Sequence, residues 1–141
     1  MFIAPTRSTP LVKYCQDSLT LDIIGRSIPE DAFEFYQPVL DLLQELKQYN
    51  PKAITAVFQL EYFNTHSSRR LLDVFRKLDE MKLNGTLTKV FWLCDVEDRE
   101  MVYHGEDLRN LVDVAIEITE LPENKYDELM HQAMLQSQDN S

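Results

Sequence analysis

The sequence predicts an α/β fold: a single-sheet sandwich with helices packed on the sheet, opened by an N-terminal hairpin and closed by a C-terminal helix. Three observations carry that expectation. Two almost continuously apolar runs, Ala53 to Tyr62 and Lys89 to Cys94, read as buried strands. Segments with helical apolar spacing precede the first run and separate it from the second. Strand, helix, strand, helix, strand in this order is the pattern of an α/β sandwich, and right-handed crossovers line up its strand-to-helix turns along one edge.

The elements follow in order. Leu11 to Cys15 and Leu19 to Ile24 flank the turn-like Gln16-Asp17-Ser18, and Leu19, Leu21 and Ile23 alternate with Thr20 and Asp22, as in a half-buried hairpin strand. Ser27-Ile28-Pro29-Glu30 reads as a capping box that starts a helix. Ala32, Tyr36, Val39, Leu43 and Leu46 recur at helical spacing, and Pro38 is expected to kink or split that helix before Tyr49-Asn50-Pro51 ends it. Ala53 to Tyr62 is expected to be a central strand covered on both faces. A second helix is read from about Ser67 to Leu83, stopped by Asn84-Gly85. Asp95 to Leu111 holds a helix with a weaker apolar face, and Val114 to Ile118 is a short final strand. Pro122 to Ser137 reads as an amphipathic helix, with a frayed tail beyond it. Residues 1–121 form the body of the expected domain, and residues 122–141 belong to the same domain.

The chain has 141 residues, 44% of them hydrophobic, which suits one globular domain with a proper core. Acidic residues outnumber basic ones by 24 to 14, giving a formal net charge of −10. That balance disfavours nucleic acid and an anionic membrane surface as partners. The opening Met1 to Arg7 lacks the features of a secretory leader, and no apolar run is long enough to span a membrane. A cytoplasmic, reducing setting is therefore expected, with Cys15 and Cys94 as free, inert thiols.

Enzymatic motifs are not apparent. Three glycines in all, Gly25, Gly85 and Gly105, leave no phosphate-binding glycine loop, and there is no nucleophile elbow. His66, His104 and His131 are scattered without metal-ligand neighbours. The run Asp95-Val96-Glu97-Asp98 lacks the oxygen spacing of a calcium loop and reads as a solvated helix start. No metal, cofactor or catalytic residue is expected.

One segment carries unusual chemistry. In Asn64-Thr65-His66-Ser67-Ser68, three hydroxyls sit between a buried strand and a helix. Helix capping explains Asn64 or Thr65. The same place also suits a phosphate, because a helix start presents unpaired amides and a partial positive charge, worth roughly 0.3–2 kcal/mol to an anion. Arg69 and Arg70 can add charge-assisted contacts. A phosphothreonine brings about −1.5 to −2 charges, which leaves the fold intact but repels a partner docked on the turn. Two other readings stand beside this one. The first is a small-ligand domain that binds an anion at the Ser67 helix start through Arg69 or Arg70. The second is a small hydrolase, for which only His66 beside Thr65 offers a base.

Four stretches together resemble the SiaC family of bacterial regulatory phosphoproteins, small domains related in fold to STAS anti-sigma-factor antagonists. They are Thr6 to Pro10; Ile28 to Leu40; Leu60 to Ser68 with Leu71-Leu72-Asp73; and Gly105-Glu106-Asp107. The resemblance implies a STAS-like domain with Thr65 as phosphoacceptor. It implies Tyr62, Asn64, His66, Ser67, Ser68 and Arg69 as the partner-binding surface around it. It further implies three partners: a cognate Ser/Thr kinase, a PP2C-type phosphatase, and a diguanylate cyclase that the unphosphorylated form binds and activates in c-di-GMP signalling. The chain departs from the family pattern at His66, where a serine is expected, and its tail from Pro122 onward is longer.

Overall fold

The computed structural model describes residues 1–122, 128 and 130–135. Its elements are β1 (Phe2–Ile3), β2 (Leu11–Cys15), β3 (Thr20–Ser27), α1 (Ala32–Tyr49), β4 (Ala53–Phe63), α2 (Thr65–Leu83), β5 (Leu87–Asp95), α3 (Arg99–Leu111) and β6 (Ala115–Leu121). The six strands form one sheet in sequence order. β1, β2 and β3 pair antiparallel, and β3, β4, β5 and β6 pair parallel.

Each parallel crossover steps to the next strand in the same direction. Right-handed connections therefore place α1, α2 and α3 on one face of the sheet. The core matches that placement. Tyr36, Val39 and Leu43 of α1, Leu71, Val74, Phe75 and Leu78 of α2, and Met101 and Val102 of α3 close on Ile23, Ile54, Phe58, Val90 and Trp92. Phe58 stacks on Phe75 at 4.7 Å between ring centroids. β4 is the central strand expected, but its two faces are covered unequally. Ile54, Ala56, Phe58 and Leu60 are buried under the helices, while Thr55 and Val57 on the opposite face are half-buried. A smaller cluster covers one corner of that opposite face: Ala133, Met130 and Met134 pack on Leu11 and Ile24. Residues 130–135 are helical, in line with the expected C-terminal helix. Of the rest of that predicted segment, residues 123–127, 129 and 136–137, Tyr126 and Leu129 among them, lie outside the described residues.

Several boundaries differ from the sequence reading for local reasons. Leu19 adopts a left-handed φ of 56°, so it completes the hairpin turn and β3 begins at Thr20. Ser27 does not cap α1. Asp31 does, accepting from the Glu34 amide at 3.0 Å. Pro38 leaves α1 undivided from Ala32 to Tyr49. It is exposed, as is Glu34, so the carbonyl that lacks its amide partner faces water. β1 was not anticipated, and β6 continues to Leu121.

Helix α3 lies very close to β5. A Cβ placed on Gly105 would fall 2.6 Å from Trp92 Cδ1 and 2.9 Å from Nε1. The indole is held there, since Nε1 donates to the Met101 carbonyl at 2.9 Å.

Candidate functional site

The turn from β4 into α2 is built as a cap on a locked platform. Asn64 is extended (φ −89°, ψ 177°), and its side chain accepts from the Ser67 amide at 2.9 Å. Its own amide donates to the Ser27 carbonyl at 3.2 Å, and its carbonyl accepts from the Ser68 amide at 2.9 Å. Helix α2 thus starts at Thr65, two residues before the predicted Ser67. The amides of Thr65 and His66 fall ahead of the helical ladder and face outward along its axis. α1 and α3 carry Glu34 and Glu100 in their first turns, whereas α2 has no acidic residue there. The partial positive charge of this helix start is therefore not offset by a side chain of its own turn.

The predicted site residues divide into two groups. Tyr62, Thr65, His66, Ser68 and Arg69 are exposed. Thr65 and Arg69, four residues apart, share one face of α2. Asn64 is half-buried as the cap. Ser67, expected on the docking surface, is fully buried. A helical stripe explains this: Ser67 lies four residues before Leu71, in line with Phe75 and Leu78. Extending the apolar stripe back by one turn identifies Ser67 as inward-facing. Arg70 also differs from expectation. Its guanidinium turns toward α1, pairing with Asp73 at 2.9 Å and Gln37 at 3.3 Å and lying 4.3 Å over the Phe33 ring. Arg69 is then the cation left beside the turn.

Two residues that support the site were not assigned to it from sequence. Ser27 and Tyr36 form a buried hydroxyl chain with Ser67. Ser67 Oγ donates to the Ser27 carbonyl at 2.9 Å, and Ser27 Oγ donates to Ser67 Oγ at 2.8 Å. Each serine hydroxyl has one proton, so the 2.6 Å contact between Tyr36 and Ser27 has the phenol as donor. The chain ties α1, the end of β3 and the first turn of α2 into one unit.

Burial raises the Tyr36 pKa to about 12 from an ordinary 10, against the opposing effect of the Ser27 hydrogen bond. The folded value lies above the unfolded one, so the contribution is complete below pH 10 and is lost as pH rises through 12. Stability is expected to fall by about 2 kcal/mol between pH 10 and 12. Denaturant melts across that window check this, with Tyr36→Phe as the control that flattens the slope.

Cys94 is buried and Cys15 half-buried, and neither is in a disulfide. Among the described residues no helix is long and apolar enough to cross a membrane, and no group of three or more His, Cys, Asp or Glu side chains is placed to hold a metal ion.

The fold is a small α/β domain, a mixed sheet with three helices on one face, and an exposed threonine stands at the start of its second helix. The chain belongs to the SiaC family of regulatory phosphoproteins, whose family model matches residues 3–121. A curated relative, an uncharacterized protein of Pseudomonas aeruginosa strain UCBPP-PA14, is 24% identical over 109 residues, covering 77% of this chain and 86% of that protein. Two crystal structures from Pseudomonas aeruginosa share the fold. One is of the diguanylate cyclase SiaD in complex with its activator SiaC, matched with a TM-score of 0.82 at 22% identity over 86% of this chain and 99% of that one. The other is apo-SiaC, with a TM-score of 0.78 at 23% identity over 84% of this chain and 97% of that one.

Proposed function

We propose that this protein is a phosphorylation-controlled protein–protein switch whose acceptor is Thr65. In this reading it carries out no chemistry of its own and acts in the cytoplasm. A Ser/Thr kinase and a PP2C-type phosphatase set its state. The unphosphorylated form binds and activates a diguanylate cyclase, and so feeds c-di-GMP signalling. The observation that carries the reading is the position of Thr65: exposed, first in α2, and on a helix start without an acidic residue. Ser67, another of the three hydroxyls in the predicted turn, is buried in the hydroxyl chain and out of a kinase's reach. The complex of SiaC with SiaD in Pseudomonas aeruginosa supports a cyclase as the partner class. Tyr62, His66, Ser68 and Arg69 form the exposed rim that a partner would meet. The alternative of a resident anion site keeps Arg69 but loses Arg70, which is committed to Asp73 and Gln37.

The direct test incubates the full chain with ATP and a candidate cognate Ser/Thr kinase, then maps the product by mass spectrometry. Phosphate on Thr65 is the expected result. Phosphate on Ser68 alone, with Thr65 unmodified, defeats the assignment.

A further inference from the structure

The first turn of α2 runs on into a groove. α1 packs along α2, whereas α2 and α3 stand further apart, and a cavity of about 250 Å³ opens between them. Phe63, Leu72, Leu108 and Leu111 give it an apolar lining. Leu111 is 65% exposed, and Phe63 and Leu72 are half-buried. Arg69 stands on its α2 wall and Asp107 on its α3 wall. Phe63 and His104, 4.8 Å apart between ring centroids, also line a smaller cavity of about 60 Å³ that reaches Tyr62. The groove is therefore continuous with the exposed rim of Tyr62, Ser68 and Arg69 beside Thr65.

Arg69 occupies the junction between groove and turn. It lies one helical turn after Thr65, on the same face of α2. It is exposed, and no hydrogen bond or ion pair engages it among the described residues. Arg70, the other cation of this turn, is held by Asp73 and Gln37. Exposed Tyr62 at one end and exposed Leu111 at the other, with an arginine between them, are the composition of a protein-binding surface. A free guanidinium at the edge of such a surface selects a carboxylate. Asp107 repels one from the α3 wall, so a partner's carboxylate is directed to the α2 side.

We propose that Arg69 is the residue through which a phosphate on Thr65 releases the partner. In the unmodified protein, an amphipathic segment of the partner seats a large apolar side chain in the groove between α2 and α3 and sets a carboxylate on Arg69. A phosphate on Thr65 competes for the same guanidinium. It brings about −1.5 to −2 charges and three acceptor oxygens, where a carboxylate has a single charge and a pair of oxygens. It is also tethered one turn away, so capture of Arg69 becomes intramolecular. Arg69 turns to the phosphate, the partner's carboxylate loses its counter-ion, and like charge then faces it across the interface. This inference rests on Thr65 as the acceptor and deepens that reading: it adds the residue that transmits the charge and the apolar anchor that the partner must supply.

The test titrates the proposed diguanylate cyclase partner with the full chain by calorimetry. Arg69→Gln is expected to bind about tenfold weaker, the scale of a charge-assisted hydrogen bond. Leu111→Asn should also lose about tenfold, the scale of one buried leucine side chain. Both positions are exposed, so both variants should keep the wild-type circular dichroism and melting temperature. Thr65→Asp should lose about tenfold less affinity in the Arg69→Gln background than in the wild type, because the two changes remove the same contact. A second readout needs no partner. With phosphothreonine installed at Thr65 by codon suppression, phosphorus NMR should place its second ionisation at lower pH in the wild type than in Arg69→Gln. Full affinity in Arg69→Gln or in Leu111→Asn, strict additivity of Thr65→Asp with Arg69→Gln, or identical phosphate titrations would overturn this inference, and Thr65 would keep its role so long as Thr65→Asp still weakens binding. Normal binding by Thr65→Asp would overturn the switch reading and this inference with it.

Discussion

Thr65→Asp is expected to weaken binding of the proposed diguanylate cyclase partner by about a hundredfold or more, while Thr65→Ala retains it. The size of the effect follows from where the charge falls. Thr65 stands free of the core on the first residue of α2, so aspartate adds its charge to the outer surface. Within the isolated domain that charge meets the positive end of the helix and Arg69 one turn away, which stabilises it by about 0.3–1 kcal/mol. The same charge at a docked interface is desolvated or set against like charges, at several kcal/mol. The domain therefore tolerates the change and the complex does not. Calorimetric titration of both variants against the cyclase, with a circular dichroism melt of each, separates the two effects. Equal affinities for the variants would remove Thr65 from the interface. A large fall in the Thr65→Asp melting temperature would instead place the effect in folding.

Gly105→Val is expected to destabilise the domain by about 3 kcal/mol, near the upper end for overpacking a core. Its first added carbon alone would fall 2.6 Å from the Trp92 ring, inside any permitted contact. The ring cannot yield easily. It is 1% exposed and hydrogen-bonded to Met101, and it lies among Phe58, Phe63 and Phe75 at centroid distances of 5.9, 6.2 and 6.4 Å. The chain has one tryptophan, so its fluorescence reports this site alone. A urea melt should show a lower midpoint with an altered native emission. An unchanged midpoint would mean that α3 can lift from β5 without loss.

Much of this architecture was legible from periodicity, and the failures have definite causes. Ile54, Phe58 and Leu60 announced a buried strand, and the stripe from Leu71 to Met81 announced α2, because side-chain burial drives both patterns. β1 went unseen because two residues, Phe2 and Ile3, cannot establish an alternation. Ser27 resembled a helix cap in sequence, since a short hydroxyl suits a cap and a buried hydrogen-bond chain equally well. Arg70 was placed at the turn by adjacency, whereas helical phase directs it toward Gln37 and Phe33 on α1. A cavity where β4, β5 and β6 end, lined by Gln59, Glu61, Cys94, Asp98 and Leu121, was not visible either. It joins Gln59 and Glu61 to residues more than thirty positions later, and only the parallel register of β4 and β5 brings them together.

The bond from the Asn64 amide to the Ser27 carbonyl, with the hydroxyl chain beneath it, makes the start of α2 a rigid part of the globule. If Thr65 is the acceptor, as proposed above, its kinase would meet this segment as the wound start of a helix and not as an extended loop substrate. It would then grip a threonine already in a helix, reading the shape of the whole module rather than the letters on either side. Short synthetic fragments of this region would be poor mimics of the intact substrate, and fidelity between matched sets of such proteins would reside in surface fit rather than in a linear motif.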